Sequence, residues 1–149
     1  MKLFAFIGLF LPFGMLSQVS IQSISIENQQ NPIGIGVSHP RFSWKMSSIN
    51  RNESQSAYAI QVLEGKKSVW NSGKVVSSTS LFVPYAGEAL KSNTKYACKL
   101  QVWNANGKAS KEATTSFTTA LLNQQDWKAK WISSGLPADT VNGRVPFFS

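Results

Sequence analysis

The sequence predicts an all-β fold, an antiparallel β-sandwich of about seven strands. Short segments of alternating apolar and polar residues recur along the middle of the chain, and turn-forming residues separate them roughly every 8–12 positions. Ser, Thr, Val and aromatic residues are frequent, with five Trp and nine Phe, and such residues favour pleated, half-buried strands. Before Leu121 no segment shows helical periodicity, so the predicted domain is built from strands alone.

Residues 1–17 are predicted to be a signal peptide. Lys2 supplies a positive start, an apolar stretch follows, and Ser17 is a small residue suited to cleavage. The apolar stretch has the length of a signal-peptide hydrophobic region, and it is shorter than the roughly 20 residues that a membrane span needs. We therefore expect an exported protein, periplasmic or extracellular, that keeps no membrane anchor after cleavage.

The first predicted strand covers residues 19–26. Its apolar positions change phase near Ser23, which indicates a shift of register. The next residues, 28–36, are rich in Asn, Pro and Gly, and this composition predicts turns with Ile35 in a loop.

Six further strands are predicted along the rest of the domain. They cover, in chain order, residues 41–46, 57–64, 69–70, 81–85, 96–102 and 113–119. Alternate apolar residues in the longer strands mark the face that turns toward the core. A hairpin turn with Asn and Gly at 104–107 precedes the last strand, in which Phe117 is the apolar anchor.

These elements divide the chain into three regions. The signal peptide precedes a sandwich domain at 18–120, and residues 121–149 are predicted to be a linker followed by the start of a second β-sandwich. The segment 121–127 could form one or two helical turns. Because a complete domain does not normally expose an apolar pair such as Phe147 and Phe148 near its end, we expect the chain to be part of a longer polypeptide.

The composition offers little for a metal, a cofactor or a nucleic acid. The 15 Lys and Arg exceed the 7 Asp and Glu by a net charge of +8, but they are scattered, so no nucleic-acid partner is predicted. One Cys and one His exclude an internal disulfide and a Cys/His zinc site. No phosphate loop or dinucleotide motif occurs, so no cofactor is predicted. Cys98 falls on the inward face of its strand and should be a buried thiol.

The most specific local pattern lies between Leu90 and Gly107. Leu90, Thr94 and Tyr96 are followed by alternating apolar residues and a Gly-containing hairpin turn. This pattern resembles fibronectin type III domains. The resemblance implies a fibronectin III-like sandwich in which Tyr96 has a structural role at a corner between the sheets, its hydroxyl hydrogen-bonded to backbone upstream.

Five short motifs also occur in an order that is more specific than any one of them. They are NPIG at 31–34, HPRFSW at 39–44, QSAY at 55–58, WNSGKV at 70–75 and DWKAKWI at 126–132. With the Tyr96 segment, this set resembles the N-terminal module of bacterial α-L-rhamnosidases of glycoside hydrolase family 78. The resemblance implies a non-catalytic sandwich that packs against downstream domains of the same polypeptide. It further implies that the whole enzyme hydrolyses terminal α-L-rhamnose from glycosides with inversion, in an α/α barrel.

No catalytic residue is predicted within this chain. An inverting glycosidase needs two carboxyl groups about 6.5–9.5 Å apart. The seven acidic residues are well separated in sequence, in turns or at strand ends, and nothing pairs them. We expect solvated carboxylates with ordinary pKa values and a chain that is inactive by itself.

The five tryptophans are predicted to differ in role. Trp44 is in phase with the core. Trp70 and Trp103 are candidates for stacking on a sugar ring, because one precedes a turn and the other lies on the outer face of its strand. Trp127 and Trp131, four positions apart, are predicted to form a structural seam against a following domain. Sugar stacking would fit an alternative function, that of a stand-alone carbohydrate-binding or adhesion module.

Overall fold

The computed structural model describes residues 19–130, which contain nine strands and a short 3-10 turn. The strands are β1 (Val19–Ile26), β2 (Ile33–Ile35), β3 (Arg41–Ser48), β4 (Gln55–Glu64), β5 (Lys67–Asn71), β6 (Val75–Val76), β7 (Val83–Pro84), β8 (Lys95–Asn104) and β9 (Ala113–Thr119). The 3-10 turn is Gln124–Asp126. The predicted signal peptide, Trp131 and the pair Phe147 and Phe148 lie outside the described residues.

The strands form two sheets that pack as a sandwich. One sheet has the order β1-β3-β7, and the other has the order β2-β9-β8-β4-β5 with β6 also paired to β4. The β2–β9 pair is parallel and the other strand pairs are antiparallel. The predicted all-β sandwich is confirmed, although three of the nine strands have three residues or fewer.

The core lies between the sheets and follows the alternation of the strands. In β8, Tyr96, Cys98, Leu100 and Val102 are buried, and the residues between them are partly exposed. This alternation arises because successive side chains of a strand point to opposite faces of the sheet. In β1 the register shifts between Ile21 and Ser23, where the sequence predicted a shift.

Two elements differ from their predicted form. Ile35 was predicted to lie in a loop, yet it is buried in β2, which pairs with the end of β9; a three-residue strand is too short to show alternation. The strand predicted at 81–85 is reduced to Val83–Pro84. Phe82 has a φ of 53°, which is incompatible with an extended strand, and its N–H instead donates to the buried Ser43 hydroxyl at 2.9 Å.

Several carboxylates are paired with cations across the fold. Glu27 lies 2.7 Å from Arg41, and the hydrogen bond from Arg41 holds the pKa of Glu27 below its usual value of 4.5. The expectation of ordinary pKa values is therefore wrong for Glu27. The sequence could not show this pair, because only the β1–β3 pairing brings the two residues together.

Among residues 19–130, no helix has the length and apolar character to cross a membrane.

Candidate functional site

The Tyr96 corner and the chain that leaves the sandwich share one polar network, which we call the exit corner (residues 90–96 and 119–127). Lys91 lies at its centre. Its backbone N–H donates to the Tyr96 hydroxyl at 2.9 Å, and its carbonyl accepts from the Thr119 hydroxyl at 2.6 Å. The Lys91 ammonium pairs with Glu64 at 2.9 Å. One residue thus connects the corner, the end of β9 and the end of β4.

Tyr96 has the geometry that a tyrosine corner requires. Its side chain is 2% exposed, and its ring stacks on Phe117 with centroids 5.5 Å apart. The hydroxyl accepts a hydrogen bond from backbone five residues upstream, at Lys91. The ring therefore contributes to the core while the hydroxyl fixes the segment that precedes β8.

Replacing Tyr96 with Phe should lower the free energy of unfolding by about 1 kcal/mol, because the Lys91 N–H loses its acceptor while the ring still packs. Urea unfolding of both proteins measures the difference. Tyr58→Phe is the matched control, since Tyr58 is also buried and its hydroxyl has no hydrogen-bond partner among the described residues. A Tyr96→Phe variant as stable as the control would show that the corner hydrogen bond does not stabilise the fold.

The second half of the network holds the departing chain. The Ser92 hydroxyl donates to the Asp126 carboxylate and accepts from the Leu122 N–H at 2.9 Å. The Asn123 amide also donates to Asp126, at 3.0 Å. The hydrogen bond from Ser92, and then that from Asn123, lower the pKa of Asp126, so the expectation of an ordinary pKa is wrong here too. Residues 121–127 are therefore attached to the sandwich rather than trailing from it.

A cleft of about 670 Å³ lies beside the exit corner. Residues 36–39 and 89–91 form two of its walls, and Leu122 and Asn123 complete it. Val37 is 41% exposed in this wall, and on the exit segment Leu121 is 42% and Trp127 66% exposed. The predicted seam of Trp127 and Trp131 stays a prediction, with Trp127 available on the surface for it.

The other three described tryptophans differ in their surroundings. Trp44 is 3% exposed, as its phase predicted. Trp70 stacks on Phe42 with centroids 6.3 Å apart and meets Tyr85 edge-on at 5.0 Å. Its ring therefore already contacts two buried aromatic rings of the core. Trp103 lies on the outer face of β8, where the Lys74 ammonium is 4.6 Å from its ring centroid.

The register of β4 separates the two candidate sugar-stacking residues. Trp70 pairs with Val62 and Trp103 pairs with Ala57, so about five residues of strand, or ~17 Å, lie between them. Their rings also belong to opposite faces of the sheet. The structure does not bring Trp70 and Trp103 together as a platform for one sugar.

The described residues hold little that could perform chemistry. No group of three or more His, Cys, Asp or Glu among residues 19–130 is placed to hold a metal ion. Burial raises the pKa of the Cys98 thiol to about 12, which leaves it unreactive near neutral pH. The imidazole of His39 lies 3.1 Å from the Ser38 hydroxyl. Glu112 pairs with Lys99 at 3.0 Å, as Glu27 and Glu64 pair with their own cations.

Comparisons with known proteins agree on one family. The family model described as Rha78A-like, N-terminal immunoglobulin domain, matches residues 21–123. An α-L-rhamnosidase of Streptomyces avermitilis is 41% identical over 128 residues, which are 82% of this chain and 12% of that protein. One from Formosa agariphila is 39% identical over 118 residues, which are 74% of this chain and 12% of that protein.

Solved structures give the same result. The crystal structure of the Streptomyces avermitilis α-L-rhamnosidase complexed with L-rhamnose matches with a TM-score of 0.73 and 42% identity, covering 77% of this chain and 12% of that one. The structure of an α-L-rhamnosidase from Dictyoglumus thermophilum matches with a TM-score of 0.72 and 33% identity, covering 76% and 14%. This chain thus spans about 12% of the length of the curated relatives it matches.

Proposed function

Because this chain belongs to the family of Rha78A-like N-terminal immunoglobulin domains, we propose that it serves as the non-catalytic N-terminal module of an exported α-L-rhamnosidase. In this proposal the module packs against downstream domains of the same polypeptide and fixes where they begin. The larger polypeptide hydrolyses terminal α-L-rhamnose from glycosides. The single observation that carries the proposal is the family match, which covers nearly all of the described sandwich.

The exit corner supports a positioning role. It fixes the chain at Leu122, Asn123 and Asp126, all beyond the last strand. A module whose task is to position a downstream domain benefits from a rigid exit, because each fixed residue reduces the orientations open to that domain. Leu121 and Trp127 are exposed apolar residues on the same segment, and such residues can pack against a downstream domain.

The proposed export rests on residues 1–17. Their positive start, apolar stretch and small residue at Ser17 have the order of a bacterial signal peptide. The mass of the secreted protein tests this part, since cleavage after Ser17 would leave a chain that begins at Gln18. Recovery of the uncleaved chain from the cytoplasm would contradict it.

A chimera tests the packing role directly. Residues 21–123 of this chain would replace the matching region of the Streptomyces avermitilis enzyme. We expect the hybrid to hydrolyse a nitrophenyl α-L-rhamnoside with a kcat close to that of the parent, because the module supplies no catalytic group. This chain alone should release no nitrophenol.

Two results would overturn the proposal. The first is nitrophenol release by this chain alone that scales with its concentration. The second is a hybrid that folds and remains monodisperse but has lost kcat. The matched control is the hybrid whose module carries Tyr96→Phe, which should lose stability but keep kcat.

A stand-alone carbohydrate-binding module is the second candidate function. One observation favours it, since Trp103 presents an aromatic ring on the outer face of the larger sheet. A glycan array with the chain and its Trp103→Ala variant separates the two proposals. Sugar binding that is lost with Trp103 would favour a binding module, whereas the packing proposal expects no sugar to bind.

A further inference from the structure

We propose that Trp131 and Ile132, which lie outside the described residues, occupy the cleft beside the exit corner. The inference deepens the proposed packing role and rests on it, because it names the surface through which the module would hold the next part of the chain. The occupant is a segment of this chain itself, and the cleft is the one bounded by residues 36–39, 89–91, Leu122 and Asn123.

The segment has only a short distance to cover. The chain is attached beside the cleft, since Asn123 both lines the cleft and bonds to Asp126. The Trp127 N–H in turn donates to Gln124 at 3.1 Å. Trp131 is four positions beyond Trp127, and a chain of that length reaches about 14 Å at most. The connection is therefore short and begins at the rim, so the loop that returns to the cleft costs little conformational entropy.

The chemistry of the cleft suits these two side chains. Leu90, Leu122 and the exposed Val37 supply the apolar part of its lining. Its edges carry polar groups from His39 and Asn123. A tryptophan has this combination of a large apolar ring and one N–H donor, and Ile132 would add an aliphatic side chain beside it. The volume of about 670 Å³ accommodates both side chains.

This end of the sandwich would otherwise expose a set of apolar side chains. Val37 in the cleft wall and Leu121, which adjoins the lining residue Leu122, are each more than two-fifths exposed. Neighbouring exposed apolar groups mark surfaces that contact another segment or partner. The next residues of the same chain are present at the highest effective concentration, because they are tethered to the rim.

Paired cysteines test the inference on the purified chain. In the double variant Val37→Cys with Ile132→Cys, the two thiols would lose two protons and two electrons to oxidised glutathione, forming one disulfide and two reduced glutathione molecules. The native Cys98 is buried and should not compete. The equilibrium with glutathione gives the effective concentration of one thiol at the other.

The matched control is Ile49→Cys with Ile132→Cys. Ile49 is 91% exposed and lies just after the end of β3, whereas Val37 lies before the start of that strand. The eight residues of β3 separate these positions by about 25 Å. We expect an effective concentration at least on the order of tenfold higher for the 37–132 pair than for the 49–132 pair. Adding Trp131→Ser to the 37–132 pair should reduce it toward the control.

Equal effective concentrations in the two pairs would overturn the inference, and so would a 37–132 pair that is insensitive to Trp131→Ser. Either result would leave the packing role intact, because another face could perform it. Conversely, a chimera that folds and remains monodisperse but has lost kcat would overturn the packing role without changing the disulfide equilibrium of this chain. The two failures are therefore distinguishable.

Discussion

Replacing Gln55 with methionine is expected to lower the free energy of unfolding by about 3 kcal/mol. Gln55 is 6% exposed, and both the oxygen and the nitrogen of its amide are hydrogen-bonded. Its oxygen accepts from the Trp44 indole N–H at 2.9 Å, and its nitrogen donates to the carbonyls of Ser77 and Thr79, each at 2.9 Å. Methionine has a similar length but offers no donor, so these bonds would be lost with little change in volume.

The expected loss is large because the amide of Gln55 joins its own strand to two other parts of the fold. Trp44 is in β3 of the smaller sheet, Gln55 begins β4 of the larger sheet, and Ser77 and Thr79 follow β6. A buried polar group left without a partner costs about 1–3 kcal/mol. The indole N–H bonds to Gln55 in the buried interior, whereas water can reach the Ser77 and Thr79 segment. The total loss is therefore about 3 kcal/mol rather than three full penalties.

Urea unfolding of the Gln55→Met and Gln61→Met variants measures this effect. Gln61 lies on the same strand and is the matched control, because its amide makes an exposed contact with the Ser68 hydroxyl at 3.1 Å. We expect Gln61→Met to change stability by less than about 0.5 kcal/mol. Equal losses in the two variants would show that the buried amide does not connect the sheets.

The contrast between Gln55 and its neighbours shows how far the sequence could predict the core. The alternation along β3 and β8 identified the strands and placed Phe42, Trp44 and Tyr96 inward, because burial on one face leaves a period of two in the sequence. Gln55 lies at the end of a polar segment whose composition predicts turns. A buried polar residue leaves no periodic trace, since its placement depends on partners that are distant in sequence.

The exit corner was predictable only in part for the same reason. Tyr96 could be assigned to a corner from its local pattern and its resemblance to a known fold. The residues that complete the network, Thr119, Ser92 and Asp126, are ordinary polar residues in the sequence. Their roles depend on the strand pairing that brings the end of β9 beside residues 91–94, and no local pattern encodes that pairing.

Replacing Phe117 with alanine is expected to lower the free energy of unfolding by about 3–5 kcal/mol, a larger loss than that expected for Gln55→Met. The ring is 2% exposed and lies between two others. It stacks on Tyr96 at 5.5 Å and meets Phe42 edge-on at 6.4 Å. Removing it leaves a cavity that rigid aromatic neighbours cannot easily fill. Thr114→Ala, at an exposed position of the same strand, should change stability by less than about 0.5 kcal/mol.

The same variant links core packing to the exit corner, because the Tyr96 ring that loses its neighbour also carries the hydroxyl bonded to Lys91. Hydrogen exchange at the Lys91 amide reports on that bond. If the stacked rings hold the corner, Phe117→Ala should accelerate exchange at the Lys91 amide more than the global loss of stability accounts for. Tyr96→Phe should then destabilise the Phe117→Ala variant less than it destabilises the unmodified chain. Exchange at Lys91 that tracks only the global loss would mean that the hydrogen bonds of Thr119 and Ser92 hold the corner without help from the core. The rigidity of the exit would then depend on the polar network rather than on the aromatic packing beneath it.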